Sequence, residues 1–255
     1  MMDRAEKRLV FEPLSRTFEL EEMRNYYLDM CEDIPDYIFT MPSSTGGKYH
    51  NAAQCKRFGQ LNHIFMFHSI LEHRLKLEHI KEMFDTPWIR DCLRCVPTFH
   101  DAIKCGLNGS QYTLHKHPLM AGEWVRNTVV KNDVDELTKL CISDMCERHS
   151  GEWNTSARDR TILPKPERMQ EYFIHECDYL SSRSDLDYIV PDEVTEILQG
   201  LRTVEPEPTP ENYVFTFGKH SGKTLMEISQ IDPGYIRWAK ENMSKEPIRT
   251  LLEQI

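Results

Sequence analysis

Residues 61–105 contain two apolar segments that decide the fold, LNHIFMFHSILEHRLKLEHIKEMF at 61–84 and WIRDCLRCVPTFHDAIKC at 88–105. Both segments have apolar residues at helical spacing. Pro87 separates them, because a proline lacks the amide hydrogen that a helix interior needs. We therefore predict a helix over 61–84 and a second apolar helix over 88–105, which carries the adjacent pair His100–Asp101.

Further helices are predicted on both sides of these segments. They cover 15–33, 118–129, 133–148, 167–183 and 191–202. Pro118 suits the first turn of its helix, where a missing amide hydrogen costs nothing. Helix-breaking residues predict loops at 34–58 and 106–110. The long segment 150–166, between two predicted helices, is also predicted to be a loop. The predicted fold class is therefore mainly α, with the helices packed as a bundle.

Composition limits the classes of function. The chain has 255 residues, 40% of them hydrophobic and 28% charged, with a net charge of −10. This balance supports a packed core and argues against a basic protein that coats nucleic acid. It does not exclude an enzyme that binds phosphate through metal ions and a few cations.

The cysteines and the N-terminus bear on location. Eight cysteines are scattered without the spacing of a disulfide framework, and the charged start MMDRAEKRLVFEPL does not resemble a signal peptide. We expect reduced thiols in a cytoplasm, or in a host cytoplasm if the protein is phage-encoded. No apolar run approaches the roughly 18 residues of a membrane span. Cys92 and Cys95 form a lone CxxC, which is weak support for zinc or redox use.

The chain is predicted to divide at EPEPTP (205–210), since alternating glutamate and proline gives a stiff spacer. Residues 1–204 would form one domain and residues 211–255 a small C-terminal module.

Histidines and aspartates in several predicted helices are candidate metal ligands: His63, His100, Asp101, His117, His149 and Asp178. Imidazoles and carboxylates in this proportion suit one or two hard or borderline divalent ions. Such ions activate water at neutral pH and neutralise phosphate charge. His117 and His149 would hold a second ion, or bind phosphate directly when protonated. His68, His73 and His79 are predicted to be structural or surface residues.

The segments around these residues resemble the HD-domain phosphohydrolase superfamily. The matching stretches are FHDAIK (99–104), HP (117–118) opening a helix, RHSGEW (148–153) and HECDYL (175–180). STGGKYH (44–50) and GQLNH (59–63) resemble the opening of a phage and bacterial subgroup. The resemblance covers roughly residues 35–190.

This resemblance implies a set of metal ligands. It assigns His63, His100, Asp101 and Asp178 to a first ion, and matches His117 and His149 to the positions that hold a second ion in binuclear members. The metal would be Mn, Fe, Mg, Ni, Co or Zn. Some binuclear members have two consecutive histidines where this chain has His149–Ser150, which leaves one or two ions open.

Several other residues are candidates for substrate contact. Lys104 follows Asp101 by three residues, and its charge suits a substrate phosphate; otherwise it is a solvated lysine. Lys48, Tyr49 and His50 lie in a glycine-containing loop that would hold phosphate, or form an ordinary surface turn. Trp153 would stack on a base, or cap the core.

The segment FGKHSGKT (217–224) is not a phosphate-binding P-loop, because three residues, not four, separate Gly218 from the Gly222–Lys223 pair. It resembles a module at the C-terminus of some bacterial exodeoxyribonucleases and phage proteins, together with DP (232–233) and YIRW (235–238). A short hairpin before a helix is expected, giving an α+β module. The residues expected to contact a nucleic-acid strand are Lys219, Lys223 and Arg237, with Tyr235 and Trp238. The two aromatic residues, Trp238 above all, are also expected to form the small core, and the two roles can coexist.

The favoured hypothesis is a metal-dependent phosphohydrolase. It would cleave a phosphomonoester or phosphodiester of a nucleotide or of a single-stranded nucleic-acid end by metal-activated water, with Asp101 and Lys104 as catalytic residues. The HD part also resembles bacterial 3′-to-5′ exoribonucleases. Two alternatives remain: a non-catalytic nucleotide- or nucleic-acid-binding or phage counter-defence protein on the same fold, and an HD di-iron oxygenase. No membrane partner is expected.

Overall fold

The computed structural model describes residues 2–44, 50, 52–110, 112–156, 160–183, 208–215, 218–243 and 247–255. The chain folds into two compact units, residues 1–197 and 198–255. The predicted helix at 191–202 and the first part of the EPEPTP spacer lie outside the described residues, so the predicted spacer remains a prediction.

The first unit is helical in its described residues, which confirms the mainly α prediction. Its helices are α1 (Arg4–Ser15), α2 (Glu21–Glu32), α3 (Gly59–Leu75), α4 (Glu78–Met83), α5 (Pro87–Phe99), α6 (His117–Asn127), α7 (Glu136–Arg148) and α8 (Met169–Ser181). None of the described helices is long and apolar enough to cross a membrane.

On the N-terminal side, one helix was not predicted and one predicted helix needs correction. Helix α1 was missed, although a capping box between Asp3 and Glu6 starts it. The predicted helix 61–84 is two helices, because the backbone at Leu77 is extended (φ −70°, ψ 130°). Because of this break, Leu75 before it and Ile80 after it are both buried. The apolar pattern continues across the break, so the sequence does not reveal it.

Helix α5 is at the centre of the bundle and packs against α2, α3, α7 and α8. Its last residue, Phe99, is fully buried and stacks on Tyr27 with ring centroids 5.6 Å apart. Tyr26 and Trp124 contact the same ring edge-on. Burial of a phenylalanine contributes about 1.5–3 kcal/mol. This aromatic packing fixes the point at which the chain leaves α5.

The pair His100–Asp101 lies just after α5, not within the predicted helix 88–105. His100 Nδ1 is 3.2 Å from the carbonyl oxygen of Val96 and 3.0 Å from that of Pro97. The His100 amide still donates to Val96 O at 2.9 Å, so the side chain competes with a helical amide at Pro97 O only. The next residues form tight turns, in which Lys104 N donates to Asp101 O.

A group of charged side chains surrounds the other end of α5, and we call it the arginine cluster: Arg90, Arg94, Glu19, Glu72 and Asp91. Arg94 donates to all three carboxylates at 2.7–2.8 Å. Arg90 donates to both carboxylate oxygens of Glu19, at 2.7 and 2.6 Å. The hydrogen bond that Glu19 accepts from Arg90 is the main reason that the pKa of Glu19 is lowered to about 2. Asp91 also accepts backbone amides at the start of α2.

All eight cysteines are free. Cys92 and Cys95 are fully buried in α5. Among the described residues, the groups of side chains that could hold a metal ion contain no cysteine. The weak zinc interpretation of this CxxC therefore gains no support.

The second unit contains α9 (Leu225–Ile231), α10 (Pro233–Asn242) and α11 (Ile248–Leu252). An isolated antiparallel bridge joins Val214 to Thr224. The described residues of this unit contain no strand, so the predicted α+β character is limited to that bridge. The core of the unit is formed by Phe215, Leu225, Ile228, Ile236, Ala239, Ile248, Leu251 and Leu252.

Candidate metal centre

The six predicted metal ligands come together in the first unit, from α3, α6, α8 and the chain just after α5 and α7. His63 Nε2 lies 3.2 Å from His100 Nε2 and 3.1 Å from Asp178 Oδ1. His117 Nε2 lies 2.9 Å from Asp101 Oδ1. The rings of His100 and His149 are 4.8 Å apart between centroids. We call this group of candidate metal ligands the metal centre.

Each histidine of the metal centre is held through its Nδ1 atom. The Nδ1 atoms of His117 and His149 are both 2.7 Å from a backbone carbonyl three residues earlier. That of His100 faces two carbonyls, as described above. Because a carbonyl only accepts, these Nδ1 atoms carry the hydrogen, and Nε2 is the atom turned towards the cavity.

Ser181 holds the fourth histidine, and the sequence did not single it out. Its hydroxyl donates to the carbonyl of Asp178 at 2.7 Å and lies 3.1 Å from His63 Nδ1. Since the hydroxyl hydrogen is used, the oxygen accepts from Nδ1. The only signal in the sequence is its position three residues after Asp178, one helical turn along α8.

The inward-facing atoms are mostly hydrogen-bond acceptors. Two neutral imidazoles would direct lone pairs at each other across the 3.2 Å between His63 Nε2 and His100 Nε2. Asp101 Oδ1 is buried and makes no hydrogen bond among the described residues as long as the ring of His117, whose Nε2 lies 2.9 Å away, is neutral. Such facing acceptors are stable with a proton or a metal cation between them.

Burial and charge act differently on the histidines of this centre. Burial lowers the pKa of His63 and lowers that of His149 to about 3, which favours the neutral form of both imidazoles. Burial also opposes charge on His100, but the carboxylates of Asp101 and Asp178 outweigh it and raise the pKa of His100. The centre therefore favours a positive charge beside His100.

Two overlapping groups have the geometry for metal binding. One is His63, His100 and Asp178, and the other is His100, Asp101 and His149. In each group the ligand atoms lie within 4.8 Å of one another. Both groups share His100, whose Nε2 atom has one lone pair and can therefore bind one ion only.

Asp101 is held by two further side chains. Lys104 Nζ donates to its Oδ2 at 2.6 Å, and Gln60 Nε2 donates to the same oxygen at 3.0 Å. Despite burial, the charges of Lys104, His100 and His117 keep the pKa of Asp101 well below its usual value. Lys104 is buried, so its interpretation as a solvated lysine is wrong. Gln60 was missed, although it lies in the quoted GQLNH segment.

A cavity of about 440 Å³ opens on the metal centre. Beyond the metal ligands, its walls include His50, Lys104, Trp153, Tyr179 and Arg183. His50 donates from Nδ1 to Gln54 Oε1 at 2.9 Å, because the amide oxygen accepts. The candidates Lys48 and Tyr49 lie outside the described residues.

Gly151 shapes the turn that follows His149. Its φ is +56°, and a Cβ atom there would lie 2.2 Å from the ring of His175. His175 in turn donates from Nδ1 to the backbone oxygen of His149 at 2.7 Å. Glycine is therefore required both by its backbone angle and by the close approach of this imidazole.

The candidate nucleic-acid residues of the second unit are only partly brought together. Tyr235 packs against the core, whereas Trp238 is 49% exposed, so the expectation that Trp238 belongs to the core is wrong. Their ring centroids are 5.3 Å apart, and Lys219 Nζ lies 5.9 Å from the Tyr235 ring. Arg237 lies about 200° around α10 from Tyr235, which places it on a different face. Lys223 is exposed.

Comparison with known proteins bears on this second unit. A family model described as Exodeoxyribonuclease X-like C-terminal matches residues 215–244. No curated protein and no solved structure matches the chain. The predicted C-terminal resemblance is thus confirmed, and the HD resemblance of residues 35–190 remains a prediction.

Proposed function

We propose that the protein is a metal-dependent phosphohydrolase that acts on a phosphoester of a nucleotide or nucleic-acid end. The observation that carries this proposal is the set of buried acceptor atoms that face one another in the metal centre. Their arrangement fits divalent ions, and their order along the chain fits the HD resemblance. A cavity beside them gives a substrate access to the same atoms.

The residues that would hold a first ion are His63, His100, Asp101 and Asp178, and a second ion would use His117 and His149. A divalent ion bound there would supply activation of water and neutralisation of phosphate charge. The donor set of imidazole nitrogens and carboxylate oxygens suits Mn, Fe, Co, Ni or Zn, and suits Mg less well. The hydrogen bonds at Nδ1 fix the rings before any ligand binds.

The chain's own charges have separate tasks in this proposal. Lys104 keeps Asp101 ionised and oriented, since it is 2.6 Å from Oδ2. Its ammonium group also lines the cavity, where it would attract a phosphate. Arg183 adds a second cation to the cavity wall. A substrate phosphate in this cavity would therefore meet both the two cations and the metal ligands.

A nucleic-acid strand is the substrate that the second unit favours. The family model that its sequence matches is described as part of an exodeoxyribonuclease. Trp238 is half exposed beside Tyr235, and Lys219 is 66% exposed near the same rings. Aromatic faces with a nearby cation bind single strands by stacking and phosphate contact.

The test of the proposal is metal analysis followed by a turnover screen. Protein purified without chelator is analysed for metal and assayed for phosphate release from nucleotides and short oligonucleotides. A hydrolase contains metal and releases phosphate or nucleotide. Metal-free protein that binds nucleotides without turnover would instead indicate a binding protein. Iron-containing protein that consumes oxygen and releases no phosphate would indicate an oxygenase.

The role of the second unit is tested by salt dependence. Lys219→Ala with Trp238→Ala should weaken binding of a single-stranded oligonucleotide and lower the salt slope by about 0.7. Activity on a small phosphoester should be unchanged. Lys240→Ala is the matched control, because this exposed lysine lies on α10 away from Tyr235 and Trp238. Unchanged oligonucleotide binding in the double variant would contradict a strand-binding role.

A further inference from the structure

An aromatic pair, Trp153 and Tyr179, stands at the edge of the metal centre. The two rings are nearly parallel, with an interplanar angle of 8° and centroids 5.4 Å apart. Trp153 is 54% exposed, so it does not cap the core. His175 contacts its ring at 5.6 Å between centroids. The indole is therefore exposed yet held in one orientation by two neighbouring rings.

The aromatic pair belongs to two cavities. It lines the cavity of the metal centre and also a second cavity of about 450 Å³. The second cavity is further lined by Arg74, Glu152, His175, Glu176 and Leu180. A ligand that reaches from the metal centre along this wall thus passes over aromatic surface before it meets carboxylates.

The charges near the pair indicate what kind of group would lie on it. The guanidinium of Arg183 already stands 4.1 Å from the centre of the Tyr179 ring. A second cation on this pair would be repelled by that charge. A flat, uncharged group would not be repelled, and it would gain stacking on the exposed indole. Glu152 and Glu176, both exposed, offer acceptors for amino groups at the edge of such a ring.

We propose that Trp153 and Tyr179 form a stacking site for the nucleobase of a nucleotide whose phosphate lies at the metal centre. The proposal rests on the proposed function and deepens it: the substrate is recognised through its base as well as its phosphate. A sugar phosphate without a base would lack this contact. Trp153 is then a specificity-determining residue, and Tyr179 orients it.

The test compares a nucleotide with the same sugar phosphate lacking a base. AMP and ribose 5-phosphate, each as its non-hydrolysable methylene phosphonate, are titrated into full-length protein loaded with Mn²⁺, and binding is followed by calorimetry and tryptophan fluorescence. AMP should bind and quench fluorescence, whereas ribose 5-phosphate should leave fluorescence unchanged. Trp153→Ala should weaken AMP binding by about 10- to 100-fold and leave the affinity for ribose 5-phosphate unchanged.

Two variants keep the result interpretable. Trp153→Phe retains an aromatic face and should retain most of the AMP affinity. Trp88→Phe is the matched control, because Trp88 bonds Thr138 and does not line either cavity. The AMP affinity and the quenching should survive in this control. Thermal melts of each variant show that the fold is intact.

Three results would overturn the stacking site. They are no AMP binding at millimolar concentration, equal effects of Trp153→Ala on both ligands, and tighter Trp153-dependent binding of phosphocholine than of AMP. Phosphate release with Mn²⁺ is measured separately. If both phosphoesters are hydrolysed equally, with or without Trp153, the result supports the proposed hydrolase activity and contradicts the stacking site. If AMP binds through Trp153 but neither compound is hydrolysed, the result supports the stacking site and contradicts the proposed hydrolase activity.

Discussion

Two groups of charged and partly buried residues lie at the two ends of α5, and they differ in one respect. In the arginine cluster every carboxylate oxygen of Glu19, Glu72 and Asp91 receives at least one donor from an arginine or a backbone amide. In the metal centre, acceptor atoms of His63, His100 and Asp178 face one another instead.

This difference is our reason for treating one group as structural and the other as a candidate ligand site. Buried ionic groups persist when their partners satisfy them, and the arginine cluster meets that condition internally. In the metal centre, Lys104 is paired with Asp101, while Asp178 lies among imidazole nitrogens. The same helix thus carries one network that is complete and one that, in the proposed function, a cation from solution completes.

The largest expected effect comes from Asp178→Asn. The amide has the shape of the carboxylate but removes its charge from His63 and His100. Phosphate release should fall by about 1,000-fold or more, because metal binding supplies several kcal/mol of the rate acceleration. The melting temperature in chelator should not fall, since the amide donates where acceptors now face one another. Kinetics and melts in EDTA check both statements; near-normal turnover would contradict the ligand assignment.

The number of ions is tested by His117→Ala and His149→Ala. If the centre binds two ions, each variant should reduce bound metal from two ions towards one per chain and reduce turnover by about 10- to 100-fold. Elemental analysis of dialysed protein gives the stoichiometry. Wild-type stoichiometry combined with a raised KM would show instead that these histidines bind phosphate.

Asp91→Asn is the counterpart in the arginine cluster. The amide nitrogen would face either Arg94 or the amides of Glu19 and Leu20, all of which are donors. Unfolding free energy should fall by about 2–4 kcal/mol, whereas metal content of the folded protein should stay constant. Urea unfolding and elemental analysis test this pairing. A loss of metal without a loss of stability would contradict the structural role assigned to Asp91.

The smallest effect concerns His68, which is buried on α3 between the two groups and bonds Thr17. Burial, with a smaller contribution from Arg94, lowers its pKa from 6.5 to about 3. Between these values the unfolded chain binds the proton and the folded protein does not, so stability falls as pH drops below 6.5. His68→Gln should remove up to about 1.4 kcal/mol per pH unit of this dependence. Urea unfolding in EDTA at several pH values measures it.

His73→Gln serves as the control for that measurement, since His73 is exposed on the same helix. Its pH dependence of stability should match that of the wild type. An unchanged slope in His68→Gln would contradict the burial of a neutral imidazole at this position.

The sequence predicted which side chains meet at the metal centre better than it predicted the helices that carry them. The resemblance to HD phosphohydrolases selected His63, Asp101 and Asp178, since residue type alone does not distinguish them among the 11 histidines and many carboxylates of the chain. The end of α5 at Phe99 was not predictable, since it depends on His100 bonding the carbonyls of its own last turn.

The residues that the sequence missed act through contacts between distant segments. Gln60 reaches Asp101 from another helix, and no local pattern distinguishes it from an ordinary polar residue. Trp238 was expected in the small core, but Ile236 and Ala239 fill that position on α10. Packing of this kind depends on the volume left by neighbours, which spacing alone does not give.

The most direct test of the metal centre is the response of folded stability to metal. Melting temperatures are measured for wild type and Asp178→Asn in EDTA and with a series of Mn²⁺ concentrations. Wild type should be stabilised progressively, by about 2.7 kcal/mol at a metal concentration 100 times Kd, whereas Asp178→Asn should respond weakly. Equal melting temperatures of wild type in EDTA and Mn²⁺, with no metal in the purified protein, would contradict the account.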